Sequence, residues 1–154
     1  MKTILTLMLV CFSVLAADDI AVTTTVKPHS SLPGQITTKE VFTRGGQTNL
    51  VRVTTTRDGM VISRIHRFYY KHTLVADHVL ILLKPEDGSS LITTSGFSLN
   101  LRFGTNNQIL AASIGDRKGN ILDAFTNTNG TLFPVSTADL KMVKNSIATR
   151  GEGQ

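Results

Sequence analysis

The clearest pattern in the chain is Phe97-Ser98-Leu99-Asn100-Leu101-Arg102-Phe103, where apolar and polar residues alternate without a break. A period of two sends successive side chains to opposite faces, so this segment predicts a strand with one dry and one wet face. Residues 60–70 alternate less cleanly. Val61, Ile65 and Tyr69 share one face and Arg64, His66 and Tyr70 the other, with Ile62 and Phe68 out of line. Residues 79–83, VLILL, are apolar throughout, which predicts a strand covered on both sides.

Turn signals divide the remainder. Gly45-Gly46, Asp58-Gly59, Pro85-Glu86-Asp87-Gly88, Asn106-Asn107, Asp116-Arg117-Lys118-Gly119 and Asn129-Gly130 each stand between β-rich runs. Asp, Asn and Gly tolerate positive φ, and the two-residue hairpin turns need it. The expected strands are 41–44, 48–56, 60–71, 74–83, 91–94, 97–103, 109–114, 120–127 and 132–135. Their turns fall about 8–12 residues apart with no helical stretch between, which means antiparallel β. The Asp/Asn-Gly grammar recurs at uneven spacing and no longer motif recurs with it, so it reads as turn chemistry and not as a repeat.

The period changes at the C-terminus. Ser136 is placed to cap a helix and Asp139 to favour its positive end. Leu140, Val143 and Ile147 then form an apolar stripe flanked by Lys141 and Lys144. A helix of about three turns is expected to lie on the sheet and cover 79–83, with 150–154 as a frayed tail. The fold class is mainly β: an antiparallel meander, as an open curved sheet or a small sandwich or barrel, with one C-terminal amphipathic helix.

The N-terminus reads differently. Lys2 precedes an apolar run from Ile4 to Leu15, followed by Ala16-Ala17 and Asp18-Asp19. The run is too short to span a bilayer, which needs about 20 residues, and fits a cleavable export signal over 1–16. Cys11 sits within the apolar run with Val10 before it, which does not suit a lipid anchor. Cleavage after Ala16 leaves no cysteine and therefore no disulfide. The expected location is secreted or periplasmic. Residues 17–38, rich in Thr with Pro28 and Pro33, read as an extended, flexible segment with an edge strand at 20–26. Residues 39–149 are then one domain, with no further run long enough to cross a membrane.

Charge adds a second asymmetry. Between 39 and 71 lie Lys39, Arg44, Arg52, Arg57, Arg64, Arg67 and Lys71 against Glu40 and Asp58. From 72 to 135 the two signs nearly balance. Register decides whether the positive charge forms a patch. A two-residue Asp58-Gly59 loop sets Arg52 opposite Ile65, and a three-residue Arg57-Asp58-Gly59 loop sets it opposite Arg64. The second sorts apolar from polar better. It gathers Arg52, Arg64, His66 and Tyr70 on one solvated face, with Arg67 nearby, as a candidate site for an anionic ligand or an acidic protein surface. Nucleic acid is not the expected partner.

Other candidate chemistry is sparse. His66, His72 and His78 are six apart, and a hairpin turning near His72 sets His66 opposite His78, but the spacing is not that of a metal site. Glu40, Asp77, Glu86, Asp87, Asp116 and Asp123 are scattered. Ser95 lies in a Ser-Gly turn, and no nucleophile, zinc or phosphate-loop motif occurs. Asn129-Gly130-Thr131 is a glycosylation sequon, but reads first as a tight turn. The expectation is therefore an exported, non-enzymatic binding or structural domain with no cofactor or metal. The alternative is a metal-dependent or hydrolytic enzyme using the histidines.

Overall fold

A computed structural model describes residues 9–14, 19–82, 88–105 and 108–151. The expected cleavage point after Ala16, the turn residues at 85–87 and Asn106-Asn107 lie outside the described residues. The chain is mainly β, in two antiparallel meanders. The first contains β1 (Leu9–Val14), β2 (Ile20–Pro28), β3 (Gln35–Arg44), β4 (Gln47–Arg57), β5 (Met60–Tyr70), β6 (Thr73–Ile81) and β7 (Gly88–Thr93), paired in chain order. The second contains β8 (Phe97–Phe103), β9 (Ile109–Asp116), β10 (Ile121–Thr128) and β11 (Thr131–Pro134), also in chain order. One helix, α1 (Thr137–Gly151), follows among the described residues. Neither sheet closes into a barrel; each keeps two edges.

Turn chemistry explains the tight connections. Asp58 and Gly59 have φ of 50° and 82°, and Asn129 and Gly130 have 51° and 82°. Both pairs thus take the double positive-φ turn whose twist matches the flanking strands. Lys71 and His72 adopt the same turn at 47° and 66° without a glycine.

The core lies between the sheets. Cross-strand register lines up Val22, Phe42, Leu50, Phe68 and Ala76 in one row on the inner face of the first sheet. Leu99, Ala112, Ile114, Phe125 and Leu132 of the second sheet pack against them. Phe68 and Phe125 meet edge to face, centroids 5.1 Å apart, as do Phe42 and Phe133 at 5.2 Å. Each fully buried large side chain contributes about 1.5–3 kcal/mol. The alternation holds from Phe97 to Arg102, with Leu99 buried, Leu101 packed on the core and Ser98, Asn100 and Arg102 exposed, but it fails at Phe103, which lies past a bulge and is 45% exposed. Residues 20–28 are a full strand whose Ile20 and Val22 reach the core.

A buried polar network joins the sheets. Arg44 Nη1 lies 2.8 Å from Asp123 Oδ1 and donates to the Val135 carbonyl. Asn49 Nδ2 donates to Asp123 Oδ2, and Asn49 Oδ1 accepts from the Arg44 backbone N–H. Asp123 is fully buried yet satisfied at both oxygens, as a charge removed from water requires.

Two sequence expectations are corrected. The Asp58-Gly59 loop has two residues, not three, since Arg57 pairs with Met60. A bulge between Thr55 and Thr56, which leaves Ile62 as the extra residue on β5, then shifts the register so that Arg52 faces His66 and not Arg64. The helix starts as expected, with Asp139 N–H donating to Ser136 Oγ. It does not cover 79–82, and Leu83 lies outside the described residues. It touches β10 of the second sheet, burying Leu140 and leaving Ile147 45% exposed. Leu80 is buried on the inner face, but Ile81 and Leu82 stay exposed.

Candidate functional site

One step along the strands from the aromatic row, the inner face turns polar. Glu40, Arg52, His66 and His78 stand directly opposite one another across β3, β4, β5 and β6. The next row holds Thr54, Arg64 and Leu80. From these rows Arg64, His66, His78 and Leu80 form the floor of a narrow cleft, beside the Glu40–Arg52 pair, and its roof is Gln108, Ile109, Asn127, Gly130 and Leu132 of the second sheet. Its volume is about 20 Å³, room for a single water-sized group.

The charges in this floor are unevenly matched. Arg52 meets Glu40 fork to fork, Nε to Oε2 at 2.6 Å and Nη2 to Oε1 at 2.7 Å. That geometry satisfies both partners. Arg64 has no carboxylate partner among the described residues, and its buried Nε carries no hydrogen bond. Burial, and Arg52 after it, lower the Arg64 pKa, with Glu40 offsetting part of the effect.

The two histidines are more buried still. His66 is 6% exposed and His78 is 2% exposed, with ring centroids 6.1 Å apart. His66 Nδ1 and both ring nitrogens of His78 are buried without a hydrogen-bond partner. Such groups are costly to leave unmet, so they mark where a polar ligand atom gains most. Burial first, then Arg52, His78 when it is protonated, and Arg64, push the His66 pKa down to about 3. Burial lowers His78 as well. The His66 ring is therefore neutral at neutral pH, able to donate through one nitrogen and accept through the other, and His78 is shifted in the same direction. Together with Arg64 the two rings line one small space beside a positive charge, an arrangement suited to an oxyanion.

The sequence-predicted residues divide. Arg52, Arg64, His66 and Tyr70 do share a face, but it is the inner one and largely buried, not a wet outer surface. Tyr70 stands on the other side of the apolar Phe68 row and packs on Phe97 at 6.4 Å, away from the polar floor. Arg67 points to the outer face, 3.6 Å from Asp77. His72 is at the hairpin tip, far along β5 from His66, and His29 is exposed beside Ser31. The three evenly spaced histidines thus reduce to one pair, and no group of three metal-ligating side chains occurs among the described residues. Ser95 is an exposed turn residue that accepts from Arg117. Asp116 caps its own turn through Asn120 and Lys118, which holds its carboxyl below the usual range.

Glu40 escaped the sequence reading as a site residue. Its signal was present: it is the one acid in β3, lying across the Gly45-Gly46 hairpin from Arg52. Gln108 and Asn127 left no such signal, because they come from the other sheet.

A larger, apolar cleft of about 400 Å³ lies between the start of β2, the β10–β11 hairpin and the N-terminus of α1. Ile20, Phe133, Pro134 and Val135 line it, and its one charged group, Asp139, is engaged with Ser136. Size alone favours this cleft, but the unmet buried donors and the unpaired guanidinium are in the smaller one, so the chemistry is placed there. No family model, no curated protein and no solved structure matches this chain, and so no enzyme family is among its matches.

Proposed function

We propose that this chain is an exported, non-enzymatic binding domain that takes an anionic group of a larger ligand at Arg64, His66 and His78. The observation that carries the reading is the unpaired Arg64 guanidinium beside two buried histidines with unmet ring nitrogens. A water molecule would meet the ring nitrogens; an anionic oxygen meets them and also offsets Arg64. The cleft admits only the tip of a ligand, so a carboxylate, sulfate or phosphate substituent fits better than a compact free molecule. Export rests on the Lys2, apolar run and Ala16-Ala17 pattern. Described helices long and apolar enough to cross a membrane are absent.

The test is retention of the exported protein on a heparin support across a salt gradient. Binding through Arg64 weakens between low salt and about 0.3 M salt, where the screening length drops well below 10 Å. Arg64→Gln elutes early. Retention that ignores salt, or that Arg64→Gln leaves unchanged, refutes the reading.

A further inference from the structure

The outer edge of β2 is built to receive a strand. Gly45 N–H donates to the Asp19 carbonyl and His29 N–H to the Gln35 carbonyl, at the two ends of the β2–β3 ladder. Hydrogen-bonded pairs alternate along an antiparallel ladder, so odd-numbered residues of β2 bond β3. The N–H and C=O groups of Ile20, Val22, Thr24 and Val26 consequently point the other way. There Leu9–Val14 pairs with them, Cys11 opposite Thr24, with no break in register.

The segment occupying that edge is the one the sequence assigns to a removable leader. Once 1–16 is gone, β2 becomes the edge strand. Natural edges are usually guarded by charge, proline, bulges or shortness. From Ile20 to Val26 there is no charge, no proline and no bulge; Lys27 and Pro28 come only at the far end. The edges of the second sheet show the usual protection: β11 has four residues and ends on Pro134, and β8 carries Arg102 and a bulge beside it.

The exposed sequence is also self-complementary. Val22-Thr23-Thr24-Thr25-Val26 reads the same in both directions. Antiparallel pairing of two copies about Thr24 sets Thr24 opposite Thr24, Thr23 opposite Thr25 and Val22 opposite Val26. Directly opposed residues lie on the same face, so Val22 and Val26 extend the inner face of each sheet into its neighbour. The outward N–H groups of Val22, Thr24 and Val26 all find carbonyls. Such a contact is isologous and closes at two copies.

We propose that the processed chain forms a two-fold dimer by pairing β2 with β2 about Thr24, at the edge that the leader strand covers in the precursor. This rests on the export reading above, since an uncleaved leader keeps the edge occupied.

The experiment is light scattering on the exported protein after its intact mass has fixed the first residue. The processed chain is expected to be a dimer and the uncleaved precursor a monomer. Thr24→Pro removes one outward N–H at the dyad without touching the β2–β3 bonds, and is expected to be monomeric with an unchanged far-ultraviolet spectrum. Thr24→Cys supplies an independent readout, because the processed chain has no other cysteine. Opposed residues of a hydrogen-bonded pair have Cα atoms about 5.5 Å apart, within disulfide range, so this variant is expected to cross-link under oxidation. Ser31→Cys, outside the strand, is not. A correctly processed chain that is monomeric and does not cross-link at position 24 overturns the pairing alone. An exported chain that retains 1–16 overturns the export reading, and with it the pairing.

Discussion

His66 on β5 and His78 on β6 stand directly opposite each other, 6.1 Å between ring centroids, buried between two sheets in a setting that favours the neutral ring of each. Their neutrality makes stability depend on pH in a known direction. The folded protein refuses a proton that unfolded His66 accepts between about pH 3 and the ordinary 6.5. The contribution of this group is complete above pH 6.5 and is lost as pH falls toward 3, at up to about 1.4 kcal/mol per pH unit. Depression of His78 acts in the same sense. Urea unfolding at a series of pH values from 7 to about 5 should show falling stability, with a shallower slope in His66→Gln. A flat profile contradicts the burial described.

Arg64 and Arg67 are three residues apart on one strand and face opposite ways. Arg64→Gln is expected to abolish salt-sensitive retention, whereas Arg67→Gln, which loses only a surface pair with Asp77, leaves it unchanged. The two chromatograms should differ clearly; equal loss in both would mean that general positive charge, not the cleft, does the binding.

Asp123 ties the β3–β4 hairpin to the second sheet. Asp123→Ala leaves Arg44 buried without its counter-charge and removes the acceptor of Asn49. The expected cost is about 3–5 kcal/mol in chemical denaturation, the range for breaking a buried pair. Replacing Arg44 and Asp123 together should cost less than the two single changes summed, because the stranded charge is gone.

The strand plan was legible because turn residues and alternation are local. Asp58-Gly59 and Asn129-Gly130 announce their own turns, and the run from Phe97 to Arg102 sorts its own faces. What misled was register. The bulge between Thr55 and Thr56 leaves no mark in composition, yet together with the two-residue loop it moves Arg52 from Arg64 to His66. The parity of Arg52, Arg64 and His66 was recoverable, since a slip of two residues preserves the face. Which face is wet was not, because that depends on where the second sheet lands. It covers the Phe42–Ala76 row and reaches the polar row beside it, turning an expected surface into a floor. Position of the helix failed for a related reason: a short stripe of Leu140, Val143 and Ile147 says that one side is apolar, not which sheet receives it.

The Lys71-His72 turn holds two side chains at positive φ with no glycine to relieve it. Left-handed backbone costs an ordinary residue about 1 kcal/mol or more. His72→Gly is expected to raise the thermal midpoint by a few degrees, by about 1 kcal/mol of stability, while ligand retention is unaffected because His72 lies away from the cleft. A lower midpoint would show that the turn is not strained as described.

Anion capture at the histidine pair can be watched at the rings themselves. Nuclear magnetic resonance of imidazole-labelled protein, titrated with inorganic sulfate at constant ionic strength, should show saturable shifts of His66 and His78 but not of His29 or His72. The His66 titration should move upward on binding, since a negative neighbour favours the imidazolium, and Arg64→Gln should erase both effects. Ring signals that stay fixed, or that move for all four histidines alike, would contradict the assignment of this cleft as the binding site.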